Sequence, residues 1–274
     1  MHAPRVSSSP VWTVAVVCAL LLSPLGRAHA EDEPPAQKAD TPEQVQKADA
    51  TAEQLDDKNK LVVQQALQNL GAQKSRSAAA HLIAFIERSK NVEWTTYAIR
   101  ALGWKGNADA VDFLCGKEGV RNKNVLVSEA SCSALSAIGD KRAIPSLLEA
   151  MKAGKDVTVC AAIEAVVTLD RAAPSLAELM FDRAKDKSSQ VRESVARALG
   201  RLDKTGPIVA QLIAFAAKDG NSLVRLQACQ SLGSLKAEEA RETLEKAAKD
   251  DKSTEVRAAA MSALQALPAP KEGE

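Results

Sequence analysis

Past residue 30, one histidine and four cysteines are the residues best suited to chemistry: His81, Cys115, Cys132, Cys160 and Cys229. His81 lies in SAAAHLIAFIERS, a stretch with helical apolar spacing, and reads as a helix-face residue. A lone histidine cannot make a His pair or cluster for a metal. The cysteines show neither C-x-x-C spacing nor a zinc pattern. Cys115 sits among Val111, Phe113 and Leu114, and Cys229 falls in an apolar column described below, so both read as small core residues. Cys132 and Cys160 fall on successive equivalent helices. A disulfide between them needs an oxidising compartment. It also needs Cα atoms about 4.4–6.8 Å apart, whereas packed helices lie about 8–10 Å apart. No G-x-S-x-G elbow, phosphate-binding loop or G-x-G-x-x-G fingerprint is present. The expectation is a protein with no catalytic constellation, no cofactor and no metal site.

The elements that hold these residues are helices. The chain has 274 residues, 26% charged and 46% apolar, but only 3% aromatic. A core without large rings must rest on Ala, Leu, Val and Ile, which suits closely packed helices. The first thirty residues stand apart. Arg5 precedes the apolar run VWTVAVVCALLL (11–22), and AHA (28–30) ends in a small-x-small pattern. This reads as a signal peptide cleaved after Ala30, the apolar run being short of the about 20 residues that span a bilayer. Val17 before Cys18 argues against a lipoprotein site. Export to the periplasm or the exterior is expected, with no stable membrane span after cleavage. Removing residues 1–30 takes two of the 36 basic residues and none of the 35 acidic ones, leaving a formal charge of −1. That balance speaks against nucleic acid as a partner.

One ten-residue pattern lies over seven places: VVQQALQNLG (62–71), WTTYAIRALG (94–103), ASCSALSAIG (130–139), AAIEAVVTLD (161–170), VRESVARALG (191–200), VRLQACQSLG (224–233) and VRAAAMSALQ (256–265). Such a period marks a solenoid. Positions one, five, six and nine share one helical face. The tenth is Gly in five copies, which suits a left-handed helix C-cap. Second helices are expected between copies, in AIPSLLEAM (143–151), AAPSLAELMF (172–181) and TGPIVAQLIAF (205–215), each with Pro near its start. The unit is helix–turn–helix, and stacking supplies the burial that one unit lacks.

These residues resemble the HEAT-repeat family, in particular its short bacterial, phycobilisome-lyase-type subtype. The resemblance implies an all-α, right-handed α-solenoid of about six to seven HEAT-like repeats. In that family an Asp in the turn between paired helices is followed six residues later by an Arg. Asp186 and Arg192, Asp219 and Arg225, and Asp251 and Arg257 match, which implies a structural Asp/Arg ladder. Asp57 and Asp156 keep the Asp place, but Val63 and Ala162 replace the Arg. Ser89, Thr95, Val125 and Ser131 stand where the second and third copies lose both. The paired His-Glu motifs of metal oxygenases resembling deoxyhypusine hydroxylase are absent. A bilin-lyase-like activity is disfavoured by the leader.

The expected organisation is a leader (1–30), a disordered polar lead-in (31–41), a solenoid (42–267) and a tail (268–274). A capping helix is expected over 41–55, with Val45, Ala48, Ala52 and Leu55 on one face. Two residues break the outward columns: Tyr97 at the mostly polar fourth position, and Trp104 just past the Gly column. Trp94 reads as core. Exposed Tyr and Trp are common interface anchors, so Tyr97 and Trp104 are the candidate partner-binding residues. The expected function is a non-enzymatic, monomeric scaffold or adaptor for a protein whose identity the sequence leaves open. An accessory subunit of an exported enzyme or envelope complex is the alternative. N-terminal sequencing of the protein from its producing cell should read Glu31 first; a protein retaining Met1 would rule out a cleaved leader.

Overall fold

The computed structural model describes residues 39–269, apart from 105, 106 and 174. The leader expected over 1–30, most of the lead-in, and residues 270–274 of the tail lie outside them. The described residues contain fourteen α-helices and no strand. They form seven successive pairs: α1 (Pro42–Ala52) with α2 (Lys60–Ala72), α3 (Arg76–Arg88) with α4 (Val92–Gly103), α5 (Val111–Cys115) with α6 (Val125–Ile138), α7 (Ile144–Ala153) with α8 (Asp156–Leu169), α9 (Leu176–Arg183) with α10 (Ser189–Leu199), α11 (Gly206–Lys218) with α12 (Ser222–Ser234), and α13 (Arg241–Asp250) with α14 (Thr254–Ala266). The even-numbered helices pack in chain order as one layer. In the other layer α1 packs on α3, α7 on α9, and α11 on α13. This is an α-solenoid, as expected.

Local chemistry starts these helices. Thr41 opens α1 with a capping box: its hydroxyl accepts from the Gln44 amide, and the Gln44 side chain accepts from the Thr41 amide. Ala48 and Leu55 of this first segment are buried, whereas Val45 is exposed. Asn59, Asn91, Asn124 and Asn221 each accept an amide hydrogen bond at the starts of α2, α4, α6 and α12. An acceptor at this place satisfies one of the free first-turn donors.

The structure corrects the alignment of the third and fourth copies. Helices α2, α4, α10, α12 and α14 start two residues before the first position of their copies. The same rule applied to α6 and α8 places those copies at 127–136 and 158–167, three residues earlier than the sequence pattern suggested. Burial agrees: Val127, Ser131, Cys132 and Leu135 are buried, as are Thr158, Ala162, Ile163 and Val166. A three-residue slip is nearly one helical turn, so it leaves an apolar stripe on almost the same face.

The glycine column also has a different role from the one expected. Gly71, Gly103, Gly200 and Gly233 do not take a positive φ; Gly139 is the only described glycine that does, at 81°, and it caps α6. The other four lie where neighbouring helices touch. A β-carbon on Gly103 would sit 2.9 Å from Ala134 Cα, and one on Gly233 would sit 2.9 Å from Ala263 Cα. One on Gly200 would sit 2.4 Å from Ser231 Oγ. The column therefore sets the approach of α4 to α6, α10 to α12 and α12 to α14. Ser231 completes one such contact by donating to the Ala196 carbonyl at 2.8 Å.

The array is interrupted at α5. This helix has five residues, where α3 and α11 have thirteen. The chain turns back tightly after it: the Val120 amide donates to the Leu114 carbonyl at 2.7 Å. A β-carbon on Gly119 would lie 1.9 Å from that same oxygen, so only glycine fits this return.

Because each pair is covered by its neighbours, damage should stay local. Leu199 is fully buried in α10, and Leu199→Ala should cost about 2–5 kcal/mol. Hydrogen exchange should accelerate in α8–α12 before α2–α4; a uniform acceleration would show a single cooperative core instead.

Candidate functional site

The Asp/Arg ladder forms between successive repeats. Arg192 reaches from α10 to the next turn, with Nε 2.7 Å and Nη2 2.9 Å from the two carboxylate oxygens of Asp219. Its Nη1 donates to the Asp186 carbonyl at 2.8 Å. Arg225 repeats the arrangement one unit on, with its fork on Asp251 at 2.7 and 2.8 Å and Nη1 on the Asp219 carbonyl at 2.9 Å. Arg257 donates to the Asp251 carbonyl at 2.7 Å and to Thr254 Oγ1 at 3.1 Å. Each of the three carboxylates also accepts the amide two residues on, at Ser188, Asn221 and Ser253. One Asp thus fixes the turn and, in the last two cases, bridges to the preceding repeat through a planar fork suited to a carboxylate.

Asp186 receives no such fork from α8, where Ala162 and Val159 are apolar. Arg183, at the end of α9, takes its place. Its Nη1 donates to Asp186 Oδ2 at 3.0 Å, its Nε to the Met151 carbonyl at 2.6 Å, and its Nη2 to the Lys152 carbonyl. A cation there also suits the C-terminal end of α7. The sequence pattern missed Arg183 because it lies three residues before the Asp rather than six after it. In the corrected alignment the third repeat carries Asn122 and Ser128 in place of the pair. Asn122 accepts the Asn124 amide at 2.9 Å, and Ser128 donates to the Val120 carbonyl at 2.5 Å.

The structure separates the two aromatic candidates. Tyr97 is half-buried in the middle of α4, and its hydroxyl accepts from Gln64 Nε2 at 2.8 Å and Gln68 Nε2 at 3.2 Å. Its ring lies 6.3 Å from that of Trp94, centroid to centroid. Trp94 is itself only partly buried against the core. Tyr97 thus joins α4 to α2. Trp104 caps the far end of α4 and is 49% exposed.

The remaining reactive groups are tied to the fold. His81 Nε2 lies 2.7 Å from Asp49 Oδ1, linking α3 to α1. All four described cysteines are free thiols. Cys132 points inward, and burial pushes its thiol up to about 12. Cys160 is half-buried near Ser194 of α10, and burial raises its thiol. Burial raises Cys229 to about 11. Such thiols stay protonated at neutral pH and are poor nucleophiles. Among the described residues no group of three or more His, Cys, Asp or Glu is placed to hold a metal ion.

One concavity was not foreseen. A cleft of about 390 Å³ opens beside the loop that follows α5, between the third and fourth pairs. Val120, Val125 and Ala150 give it an apolar wall, and Arg121, Lys123 and Lys155 stand around it. The double glycine in CGKEGVRNK (115–123) was the available signal, since it ends a helix early.

The HEAT-repeat family model matches residues 79–167 and 177–265. The chain belongs to the HEAT-repeat family. Among solved structures it is similar to the Escherichia coli protein YibA, at 17% identity over 81% of each chain, with a TM-score of 0.55. An engineered protein matches at 15% identity over 80% of this chain and 67% of its own, with a TM-score of 0.50. The CpcE–CpcF complex of phycocyanin lyase from Nostoc sp. matches at 21% identity over 86% of this chain and 98% of its own, with a TM-score of 0.49. No curated protein matches the chain. At these identities the likeness to YibA and to the engineered protein shows the fold alone.

The ladder should make this HEAT array acid-sensitive. The Arg225 fork holds the Asp251 carboxyl below its usual range despite partial burial. At Asp219 burial pulls upward, and the Arg192 fork and the Asn221 amide outweigh it. A carboxyl depressed in the folded state stabilises above its unfolded value of about 3.9 and loses that contribution as pH falls through its folded value. Asp251→Asn should therefore lower the urea midpoint at pH 7, and its gap from the wild type should close as pH falls below about 4. A gap that stays constant over that range would show that this pair does not titrate with unfolding.

Proposed function

We propose that this protein is an exported, non-enzymatic scaffold that binds a protein partner along the solenoid, with Trp104 as an anchor. The carrying observation is the exposure of Trp104. In an array with few aromatic residues, an indole 49% exposed at a helix end presents a large rigid surface to solvent. Truncation of such residues is what most often weakens protein interfaces. Tyr97 supports the reading indirectly, because its hydrogen bonds to Gln64 and Gln68 hold α4 against α2 and so fix the helix that ends in Trp104. The leader pattern of residues 1–30 supports export, and the near-neutral charge beyond it favours protein over nucleic acid. Among the described residues no helix is long and apolar enough to cross a membrane. The scaffold acts as a monomer whose surface is set before the partner arrives, so little ordering cost attends binding.

The test is affinity capture from an envelope extract with the full mature chain beside Trp104→Ala and Tyr97→Ala. The wild type should retain a partner that Trp104→Ala loses, with both equally helical. Tyr97→Ala should weaken capture less and lower stability more. Equal capture by wild type and Trp104→Ala would remove Trp104 from the interface. If the captured partner is an enzyme whose turnover this chain changes, the protein is its accessory subunit.

A further inference from the structure

The cleft between the third and fourth repeats points to a ligand of a different kind from the partner at Trp104. We infer that it binds a small amphipathic oxyanion, a carboxylate or phosphate carried on a compact apolar body. Its volume of about 390 Å³ falls within the range of small-molecule pockets, about 300–1,000 Å³. It exists because α5 stops after five residues, so the loop 116–124, rather than further helical turns, lies beside α7. Val120, Val125 and Ala150 line it with aliphatic surface.

The polar groups around that surface select charge. Arg121, Lys123 and Lys155 border the cleft, and none is paired with a carboxylate among the described residues. The one acid in the lining, Glu149, already accepts from Lys152 Nζ at 3.0 Å. The cleft therefore carries uncompensated positive charge. A hydroxyl opens on it as well: among the described residues no buried side-chain oxygen lacks a hydrogen bond, so the unpaired Thr158 hydroxyl is open to the cleft. Thr158 is 4% exposed and lines the cleft. Thr95 and Thr168 donate to the carbonyl one turn back, but Thr158 makes no hydrogen bond through its hydroxyl among the described residues. Helix α8 starts at the same place with Lys155 at its N-cap, a side chain that cannot accept the free first-turn amides as Asn does in α2, α4, α6 and α12. An unpaired hydroxyl open to the cleft, first-turn amides and three cations border a wall that favours carbon.

The ¹⁵N-labelled full chain would be titrated with 4-phenylbutyrate, phenyl phosphate and uncharged 4-phenylbutanol, following amide shifts. Both anions should move the amides of 120–128 and 149–158 saturably, and the alcohol should bind at least about tenfold more weakly. The tighter of the two anions identifies the source of the oxyanion as an organic acid or a phosphate ester. Lys123→Ala with Lys155→Ala should weaken both anions about tenfold. Ala153→Trp, which fills the cleft from an exposed lining position, should abolish their shifts. Unchanged amides in 189–266 would show that the variants fold. Equal binding of the alcohol, shifts centred elsewhere, or full binding by Ala153→Trp would overturn the assignment, whatever the outcome of the capture experiment at Trp104.

Discussion

The structure depends on how closely the even-numbered helices approach. The core holds few aromatic rings, Phe85 and Phe215 among those buried, so most stabilisation comes from many small aliphatic contacts that require helices in near backbone contact. Gly103 against Ala134 and Gly233 against Ala263 show the limit, since a single β-carbon on either glycine would enter the next helix. Once that spacing is set, Leu67, Ile99, Ile163 and Leu199 fill the face between the two layers. Each repeat then leaves an apolar face that its neighbour covers. Met261 shows the consequence: it occupies the column buried at Leu67 and Ile99, yet it is 53% exposed, because among the described residues no helix follows α14.

Polar groups in the array are recruited to the same end. In the C-terminal half, Asp219 and Asp251 each hold a turn and receive a fork from the repeat before. The pairs are largely shielded from water, so desolvation offsets much of their attraction and their value lies in registering one repeat on the next as much as in net stability. In the N-terminal half other groups link the repeats: Arg76 at the start of α3 forks onto Asp109 at 2.9 and 3.2 Å, and Tyr97 spans α4 and α2 through its hydroxyl. Ser128 and Ser131 are buried and donate to carbonyls within their own repeat. Arg183 closes the gap between the two regimes by meeting Asp186 from its own repeat.

The two surfaces proposed to bind lie where the repeat is least regular. Trp104 follows the second even-numbered helix, and the cleft opens where the third repeat loses most of its first helix. Both fall in the stretch that lacks the Asp/Arg pair. A regular solenoid offers shallow, repeating surfaces; a shortened helix or a large side chain at a turn gives a distinct place to bind. The two surfaces also differ in kind, since one is an exposed indole and the other a concave, cationic pocket.

The amino-acid sequence by itself determined the helical class, the family and the ladder residues. Their signals are local: a fixed period, alanine and leucine at set positions, and Asp followed six residues later by Arg. It did not determine the alignment of the third and fourth repeats, because a slip of three residues moves an apolar stripe only a fraction of a turn. The role of the glycines was equally hidden. A glycine that ends a helix and one that admits a neighbouring helix read alike along the chain, and only the distance to Ala134 or Ala263 separates them. The cleft, the Arg183 substitution and the half-burial of Tyr97 are likewise products of tertiary structure. Each depends on residues about thirty positions apart being placed side by side, which stacking alone decides.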